Sequence, residues 1–245
     1  MKLIKILSPI LILFVFVQYS HTQTVDEVID KYITAIGGIE KINSIKTLKI
    51  TGKFLNGSFE IPFVQTVSRP DKTLLEMTIQ GMTMKQAYDG TTAWMINPFQ
   101  GAKEPEKMTE EQTKSMREQA EFEGKLINYK EKGYTAELMG KEDMEGSEVY
   151  KIKITDKDGD INYYYIDTQT NLILKESTKR KIKEKEIAVD TYNGDYKPFE
   201  GLLIPTAMEV KTPAQGMESQ KVTIEAIEFN LSVDDAIFKM PEAKK

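Results

Sequence analysis

The stretch 46–96, KTLKITGKFLNGSFEIPFVQTVSRPDKTLLEMTIQGMTMKQAYDGTTAWMI, decides the fold, because short runs of strand-forming residues alternate along it with turn signals. The turn signals suit hairpins and bulges, and they are Asn56-Gly57, Arg69-Pro70-Asp71, Gly81 and Asp89-Gly90. Between them the pattern predicts five strands, which run over Lys46 to Phe54, Ser58 to Ser68, Thr73 to Gln80, Met82 to Tyr88 and Thr92 to Ile96.

Seven further strands are predicted after a charged interlude, so the chain is mainly β. They run over Tyr134 to Met139, Glu148 to Thr155, Ile161 to Ile166, Leu172 to Thr178, Lys183 to Thr191, Pro205 to Val210 and Gln220 to Phe229. Parallel neighbours would need crossover helices that the sequence lacks, so we predict one antiparallel sheet that is large enough to curl. No second domain, long linker or solenoid repeat is evident, and we expect a single domain over 23–245.

The first residues, Met1 to about Thr22, have the pattern of a secretory signal peptide. Lys2 and Lys5 precede an apolar run from Ile10 to Val17 that is too short to span a bilayer of roughly 30 Å as a helix. We therefore expect cleavage between Thr22 and Gln23 and a periplasmic protein; an uncleaved membrane anchor is the alternative. Loss of the two lysines takes the formal charge from −5 to −7.

Composition excludes several chemistries. The sequence has no cysteine, and its one histidine, His21, falls in the expected signal peptide. Thiolate nucleophiles, the usual zinc sites and histidine-based triads are thereby excluded from the exported protein. We expect no enzyme and no cofactor or metal, and the acidic charge argues against nucleic acid as a partner. A hydrolase that uses carboxylates alone is the remaining catalytic hypothesis.

An acidic run at 156–160, DKDGD, resembles the beginning of a calcium loop, with Asp167 at the twelfth place. The sixth place holds Ile161, where the sharp turn of such a loop needs glycine. A hairpin turn at Asp158-Gly159 explains the same residues, and we favour it.

Two helices are predicted outside the strands. Thr24 and Glu27 form a capping-box pattern before a broad apolar stripe, and Gly37-Gly38 ends that helix. Within the charged interlude, Lys103 to about Lys132, Thr109 and Gln112 begin a second helix through Glu121 with little apolar surface. It is either a solvated surface helix or a weakly docked flap beside a cavity.

Methionine is abundant, with twelve in the chain. Met77, Met82, Met84 and Met95 fall on neighbouring predicted strands close to Leu75 and Ile79. Methionine is flexible and polarizable, so it serves surfaces that accommodate more than one apolar partner, although ordinary core packing is the alternative. If the curled sheet does not close, its concave face is too broad for side chains to fill and becomes an apolar trough.

Five features resemble the LolA-like periplasmic carriers of outer-membrane lipoproteins. The first is Arg69-Pro70, and the second is the hairpin from Leu74 to Met84 that follows it. The third is the segment 89–99, DGTTAWMINPF. The amphipathic opening helix and the ending 234–241, DDAIFKMP, are similar to the two ends of that family. The resemblance covers most of the exported chain in order.

This resemblance implies an unclosed half-barrel covered by helices, with an apolar cavity for acyl chains. Arg69 matches the family arginine that holds the lid shut through hydrogen bonds to lid carbonyls, which suits the five donors of a guanidinium. A strand-end surface charge is the alternative. Trp94 matches a strand aromatic that serves as a core anchor or a ligand contact. The candidate cavity and lid residues are Arg69, Leu75, Met77, Ile79, Met82, Met84, Trp94, Met95, Phe99 and Met116.

The leading hypothesis is a periplasmic carrier that moves acyl chains of lipoprotein or lipid toward the outer membrane, between an inner-membrane donor and an outer-membrane acceptor. The alternative is a non-enzymatic envelope sensor or scaffold that uses the same concave sheet to bind a lipid or a regulatory protein. The one basic run, within 179–185, is predicted to be a solvated strand face that discourages edge pairing. A docking strip for anionic lipid headgroups is its alternative.

Overall fold

The computed structural model describes residues 23–57, 59–102, 104–182, 185–212 and 219–242. The expected signal peptide lies outside the described residues. Thirteen strands form one antiparallel sheet, as the alternation predicts. The strands are β1 (Thr47–Asn56), β2 (Phe59–Ser68), β3 (Lys72–Ile79), β4 (Met82–Tyr88), β5 (Ala93–Ile96), β6 (Glu106–Lys107), β7 (Thr135–Met144), β8 (Ser147–Thr155), β9 (Ile161–Asp167), β10 (Ile173–Ile182), β11 (Lys185–Phe199), β12 (Leu202–Lys211) and β13 (Gln220–Phe229).

The strand order explains why the sheet stays open. From one edge to the other it is β6-β5-β4-β3-β2-β1-β13-β12-β11-β10-β9-β8-β7. The chain builds one wing outward from β1 to β6, crosses to the opposite edge at β7, and returns strand by strand to β13, which pairs with β1. In the part of the chain that the structure describes, β6 and β7 do not pair, so the sheet is an unclosed half-barrel. This confirms the predicted fold class.

Three α-helices accompany the sheet: α1 (Val25–Ala35), α2 (Ile39–Ser44) and α3 (Glu110–Ala120). Both predicted capping boxes are present, Thr24 with Glu27 and Thr109 with Gln112. None of the helices in the described ranges has the length and apolarity needed to cross a membrane. Gly37, at φ +121°, turns the chain between α1 and α2, where a β-carbon would lie 2.5 Å from the carbonyl oxygen of Gly201.

The helices and the rest of the segment between β6 and β7 pack on one face of the sheet. We call this face the concave face. Val28 and Ile29 of α1 pack on Ile152, Ile154 and their buried neighbours in β9. At the other wing, α3 packs on the inner ends of β4 and β5. The strand registers place all these sheet contacts on the same face, because residues paired across antiparallel strands point to the same side.

The opposite, convex face is covered by the end of the chain. A 3₁₀ turn at Asp235–Phe238 brings the fully buried Phe238 onto Leu74, Ala87 and Trp94. The two faces therefore have different covers: the C-terminal segment lies outside, and the helices lie inside.

Several strands differ in their bounds from the sequence prediction: β7 ends at Met144, β10 ends at Ile182, and β12 begins at Leu202. The two largest differences are in β11 and β6. β11 extends to Phe199, well past the predicted end at Thr191, because it keeps pairing with β12 through Gly194. The short strand β6 was not predicted, and it pairs only Glu106 and Lys107 with β5. Both differences arise from pairing with a partner strand, which local composition does not report.

Candidate functional site

The concave face carries six of the predicted cavity residues. Met77 pairs with Met84, Ile79 pairs with Met82, and Leu75 and Met95 both face Gln86 between them. Pairing puts all six side chains on one side of the sheet, which is the side covered by α3 near Tyr88 and Ala93. The structure therefore brings together Leu75, Met77, Ile79, Met82, Met84 and Met95.

Exposure varies along this methionine wall. Leu75 is buried, Met77 and Met84 are half-buried, and Met82 at the hairpin tip is 42% exposed. Met116 of α3 is 2% exposed and covers the inner end of the wall, against Tyr88 and Ala93. The wall is thus closed beneath α3 and accessible toward the turn between β3 and β4.

Neighbouring strands extend the apolar wall. The registers place six more apolar side chains on the same face, and apart from the buried Phe63 each of them is half-buried. They are Phe54, Ile61, Phe63, Met208, Val222 and Ile224. A continuous strip of half-buried apolar side chains suits a flexible apolar ligand.

Two predicted site residues lie elsewhere. Trp94 pairs with Ala87 on the convex face, and its indole Nε1–H donates to the carbonyl oxygen of Phe238 at 2.7 Å. Phe99 lies after β5 in the 3₁₀ turn Pro98–Gln100 and is 42% exposed. The expectation that Trp94 lines the cavity is therefore corrected, and its alternative role as a core anchor is the one observed. The role of Phe99 in the cavity stays a prediction. Side-chain alternation along β5 sends Trp94 to the opposite face from Met95.

Arg69 connects α2 to Phe122 and Glu123, which lie between α3 and β7. Its guanidinium donates from Nε to the Ile45 carbonyl at 2.8 Å and from Nη2 to the Ile42 carbonyl at 3.3 Å. It also forms an ion pair with Glu123 and lies 4.6 Å from the ring centroid of Phe122. Arg69 thus bridges two elements that cover the concave face. These contacts do not fit the alternative, in which Arg69 is only a surface charge at the end of a strand.

Residues 122–133, which we call the lid segment, enter the concave face. Leu126 packs between α1 and the sheet, and Ile127 packs against α2, each 2% exposed. Leu126 and Tyr129 belong to the same buried cluster as Tyr164 of β9. The lid segment therefore covers the β9 side of the concave face by direct contact, with apolar anchors that its charged sequence conceals.

Ion pairs hold α3 and the lid segment to the turn between β8 and β9. Lys125 Nζ lies 2.7 Å from Asp156 Oδ2 and 3.5 Å from Glu118 Oε1, and both carboxylates belong to largely buried side chains. Lys114 of α3 forms a matching pair with Asp160 at 2.5 Å. Oxygens of Glu118, Asp156 and Asp160 lie within 4.8 Å of one another, and the ammonium groups of Lys114 and Lys125 offset two of their three negative charges. The charged interlude is thus docked by salt bridges, which neither sequence alternative anticipated.

The acidic run at 156–160 forms the hairpin turn that the sequence favours. Asp156 Oδ1 accepts the backbone N–H groups of Asp158 at 3.0 Å and Asp160 at 2.9 Å. Gly159 has φ +82°, as such a turn requires, and β8 and β9 pair on either side. Asp167 instead accepts from Thr170 in the next turn, so it does not join this loop.

Glu176 is a carboxyl on the concave face. It lies opposite Tyr164 on β9 and Thr191 on β11. Burial raises the pKa of Glu176 above its ordinary 4.5, although the Asn193 side chain donates a hydrogen bond that opposes this shift. Burial likewise raises the pKa of Tyr164 and of Tyr32, which lies on α1 above the same wall. This part of the wall is polar but largely shielded from water.

Replacing Glu176 by glutamine is expected to make stability less dependent on pH. Because its pKa is raised in the folded protein, the unfolded chain loses the proton first, and wild-type stability falls as pH rises from 4.5 through the folded-state pKa. Glutamine does not ionise, so the variant gains stability relative to wild type as pH rises. Urea unfolding at about pH 4 and about pH 8 measures this difference. An equal effect of the substitution at both pH values would contradict a shielded carboxyl.

A cleft of about 390 Å³ lies between α1, α2 and the lid segment, with Ile29, Ile33, Ile39 and Leu126 among its lining. Asp26 of α1 joins the two sides, accepting from the Tyr129 hydroxyl at 2.6 Å and from Lys130 Nζ at 2.7 Å. Packing between α1 and the lid segment is therefore incomplete at this cleft, where the polar contacts of Asp26 add to the apolar packing of Leu126 and Tyr129 against α1.

Sequence reasoning missed several residues of the site. Phe122 and Glu123 lie in the charged interlude, and no local pattern pairs them with Arg69. Asn162 shares the inward face of β9 with Tyr164 and Ile166, so a polar residue on the inward parity of a buried strand was the available signal. Glu176 lies between Lys175 and Ser177, so its neighbours in the chain carry no such signal. That signal requires knowing which face is inward.

Comparisons with known proteins agree with this architecture. A family model described as "Uncharacterized protein" matches residues 77–242, about two thirds of the chain. No curated protein matches the sequence significantly.

Three solved structures share the fold. A LolA superfamily protein of Nitrosomonas europaea has a TM-score of 0.61 at 10% identity, covering 89% of this chain and 98% of its own. A DUF1329 family protein of Desulfovibrio piger has a TM-score of 0.62 at 16% identity, with the same coverages of 89% and 98%. A domain assigned to outer membrane lipoprotein sorting in Vibrio parahaemolyticus has a TM-score of 0.55 at 14% identity, covering 86% and 94%.

These similarities confirm, for the fold, the resemblance that the segments around Arg69 and 89–99 predicted. At such low identities they show the architecture alone. The chain therefore belongs to the family whose model matches residues 77–242, and it has the LolA-like half-barrel fold.

Proposed function

We propose that this protein is a non-enzymatic periplasmic carrier that binds acyl chains of lipoproteins or lipids on its concave face. The observation that carries the proposal is the methionine-rich wall, which shares the face covered by α3 and the lid segment yet keeps Met77 and Met84 half-buried. The lipoprotein-sorting assignment of the Vibrio parahaemolyticus domain, which has the same fold, supports it.

The energetics favour a hydrocarbon guest. Each methylene group removed from water contributes roughly 0.8 kcal/mol, so a long acyl chain gains on the order of 10 kcal/mol along a dry wall. Methionine side chains adjust to chains of different length and branching, which suits a carrier of several cargoes. The same plasticity keeps binding loose enough for release.

Release requires the cover to move, and the contacts indicate how it does so. Arg69 holds α2 and Glu123 together, and the cleft beside Asp26 leaves the lid segment incompletely packed on α1. Breaking the contacts of Arg69 would remove the direct connection between α2 and Glu123 without disturbing strand pairing, while the packing of Ile127 on α2 and the Lys125–Asp156 ion pair would remain. We infer an inner-membrane donor and an outer-membrane acceptor as the partners that open and empty this cover.

Introducing a charge into the wall is expected to abolish acyl binding. Met77→Asp is expected to weaken binding of a fluorescent acyl probe at least about tenfold, because a carboxylate on the apolar wall must be desolvated by the guest. Thr78→Asp is the matched control, since Thr78 is the next residue of β3, is exposed and points to the other face. Fluorescence titration of both folded variants measures the effect.

Equal binding by the two variants would overturn the assignment of this wall. Native mass spectrometry of the wild-type protein, gently purified from the periplasm, then identifies the natural cargo. An apolar passenger in the lipoprotein or lipid mass range supports the carrier. A stable complex with an envelope regulator and no lipid would instead select the sensor hypothesis.

A further inference from the structure

Two polar pairs lie next to each other on the concave wall. Across β9 and β10, Tyr164 faces Glu176, and Asn162 faces Thr178 two residues further along. Asn162 also faces Ile154 of β8, one of the sheet residues beneath α1 and the lid segment. These polar groups thus share the face of the methionine wall but form a separate patch on the opposite wing.

Asn162 is the most unusual member of this patch. It is 5% exposed, and its Oδ1 accepts a hydrogen bond from Thr178 Oγ1 at 2.8 Å. Its Nδ2 finds no acceptor among the described residues. Buried amide donors are nearly always satisfied, and a donor that is not is costly unless a ligand completes it.

The neighbouring carboxyl forms no ion pair with any side chain that the structure describes. Glu176 lies opposite Thr191 of β11, and Asn193 is two residues further along the same face of that strand. A shielded carboxyl without a cation favours its neutral form, and it then tolerates uncharged polar groups better than anions.

The topology places this patch and the methionine wall at corresponding ends of their strands. Following the antiparallel pairing from strand to strand, the β8–β9 turn and the β3–β4 turn belong to the same end of the sheet. Asn162 and Met84 are both close to that end, Asn162 one residue into β9 and Met84 two residues into β4. An extended acyl chain that reaches from one wing to the other therefore meets both groups on the face that it contacts.

We propose that Asn162, positioned by Thr178 and beside Glu176, forms a subsite for the neutral carbonyl group that joins an acyl chain to its headgroup or protein. Asn162 Nδ2 donates to the ester or amide carbonyl oxygen, and the hydrocarbon tail extends toward the methionine wall. This inference rests on the proposed function and adds the recognised polar group. Because Leu126 of the lid segment packs in one buried cluster with Tyr164 and Ile154 beside Asn162, the carbonyl enters when the lid segment is displaced.

The test compares methyl dodecanoate with pentadecane, which has the same number of heavy atoms, as competitors of phenylnaphthylamine fluorescence. Wild-type protein is expected to prefer the ester by about tenfold, and Asn162→Leu is expected to lose that preference while binding pentadecane as wild type does. Gln65→Leu is the matched control, because Gln65 lies on the same face but its Nε2 already donates to Thr73 Oγ1. It should keep the preference for the ester.

A second measurement needs no variant. The infrared carbonyl band of isotope-labelled methyl dodecanoate bound to wild type is expected to shift to lower frequency than in hexane, as hydrogen bonding requires. Equal wild-type binding of ester and alkane, or an unshifted band, overturns the subsite while leaving the carrier intact. Equal loss of preference in Asn162→Leu and Gln65→Leu also overturns it. Failure to bind either competitor overturns the proposed function itself.

Discussion

Replacing Arg69 by leucine is expected to lower the free energy of unfolding by about 3 kcal/mol, because two backbone carbonyls lose their donor and a nearly buried carboxylate loses the closer of its two cations, with Lys132 at 3.4 Å as the other. The Glu123 side chain is 8% exposed and pairs with Arg69. The carbonyls of Ile42 and Ile45 lose their guanidinium donors at the same time. Denaturant unfolding measures the change in free energy.

The Arg69→Leu substitution should first destabilise the elements that Arg69 contacts. Hydrogen exchange is expected to rise in α2 and the lid segment before it rises in the central strands, since Arg69 connects the two covers and not the sheet. Acyl transfer to an acceptor should change for the same reason. Arg69→Lys should recover only part of the stability, because an ammonium lacks the planar fork that bridges the carbonyls, the carboxylate and the Phe122 ring.

A matched control removes an exposed ion pair. Lys49 pairs with Glu228, and their side chains are 39% and 50% exposed. Lys49→Gln should therefore change stability by no more than about 0.5 kcal/mol. An Arg69→Leu effect as small as this, or unchanged transfer kinetics, would remove Arg69 from the lid.

Replacing Trp94 by alanine is expected to lower the free energy of unfolding by about 4 kcal/mol, because it leaves a cavity in a buried cluster on the convex face. This is the largest change in stability among the predictions. Trp94 is 2% exposed and packs with Leu74, Ala87 and Phe238. The variant also loses the hydrogen bond to the Phe238 carbonyl, so the C-terminal segment should detach first. Far-ultraviolet circular dichroism follows unfolding, since Trp94 is the single tryptophan.

Measurements of acyl binding distinguish a structural role of Trp94 from a role in lining the cavity. Folded Trp94→Ala is expected to bind the acyl probe as wild type does, because the indole lies on the face opposite the methionine wall. Phe99→Ala serves as the control aromatic: its side chain is 42% exposed, and the expected loss of stability is below about 1 kcal/mol. A specific loss of probe affinity in Trp94→Ala would return this residue to the cavity.

The local sequence pattern was sufficient to predict most of the strands and much of the methionine wall. A period of two separates the faces of a strand, so Met77 and Met84 could be assigned to one surface once the hairpin between them was recognised. Both capping boxes were equally local, because each joins residues three apart. The short strand β6 and the extension of β11 escaped detection because only a partner strand stabilises them.

The sequence by itself determined a curled antiparallel sheet, its hairpins, its helix starts and the grouping of methionines on one face, since these follow from contacts between neighbours in the chain. Only the tertiary structure decided which face turns inward, and with it the placement of Trp94 outside and of Asn162 and Glu176 inside. It also decided that Arg69 meets Glu123 and Phe122 and that lysines dock the charged interlude. Alternation distinguishes two faces without naming the concave one, and ion pairs between distant segments leave no periodic signal.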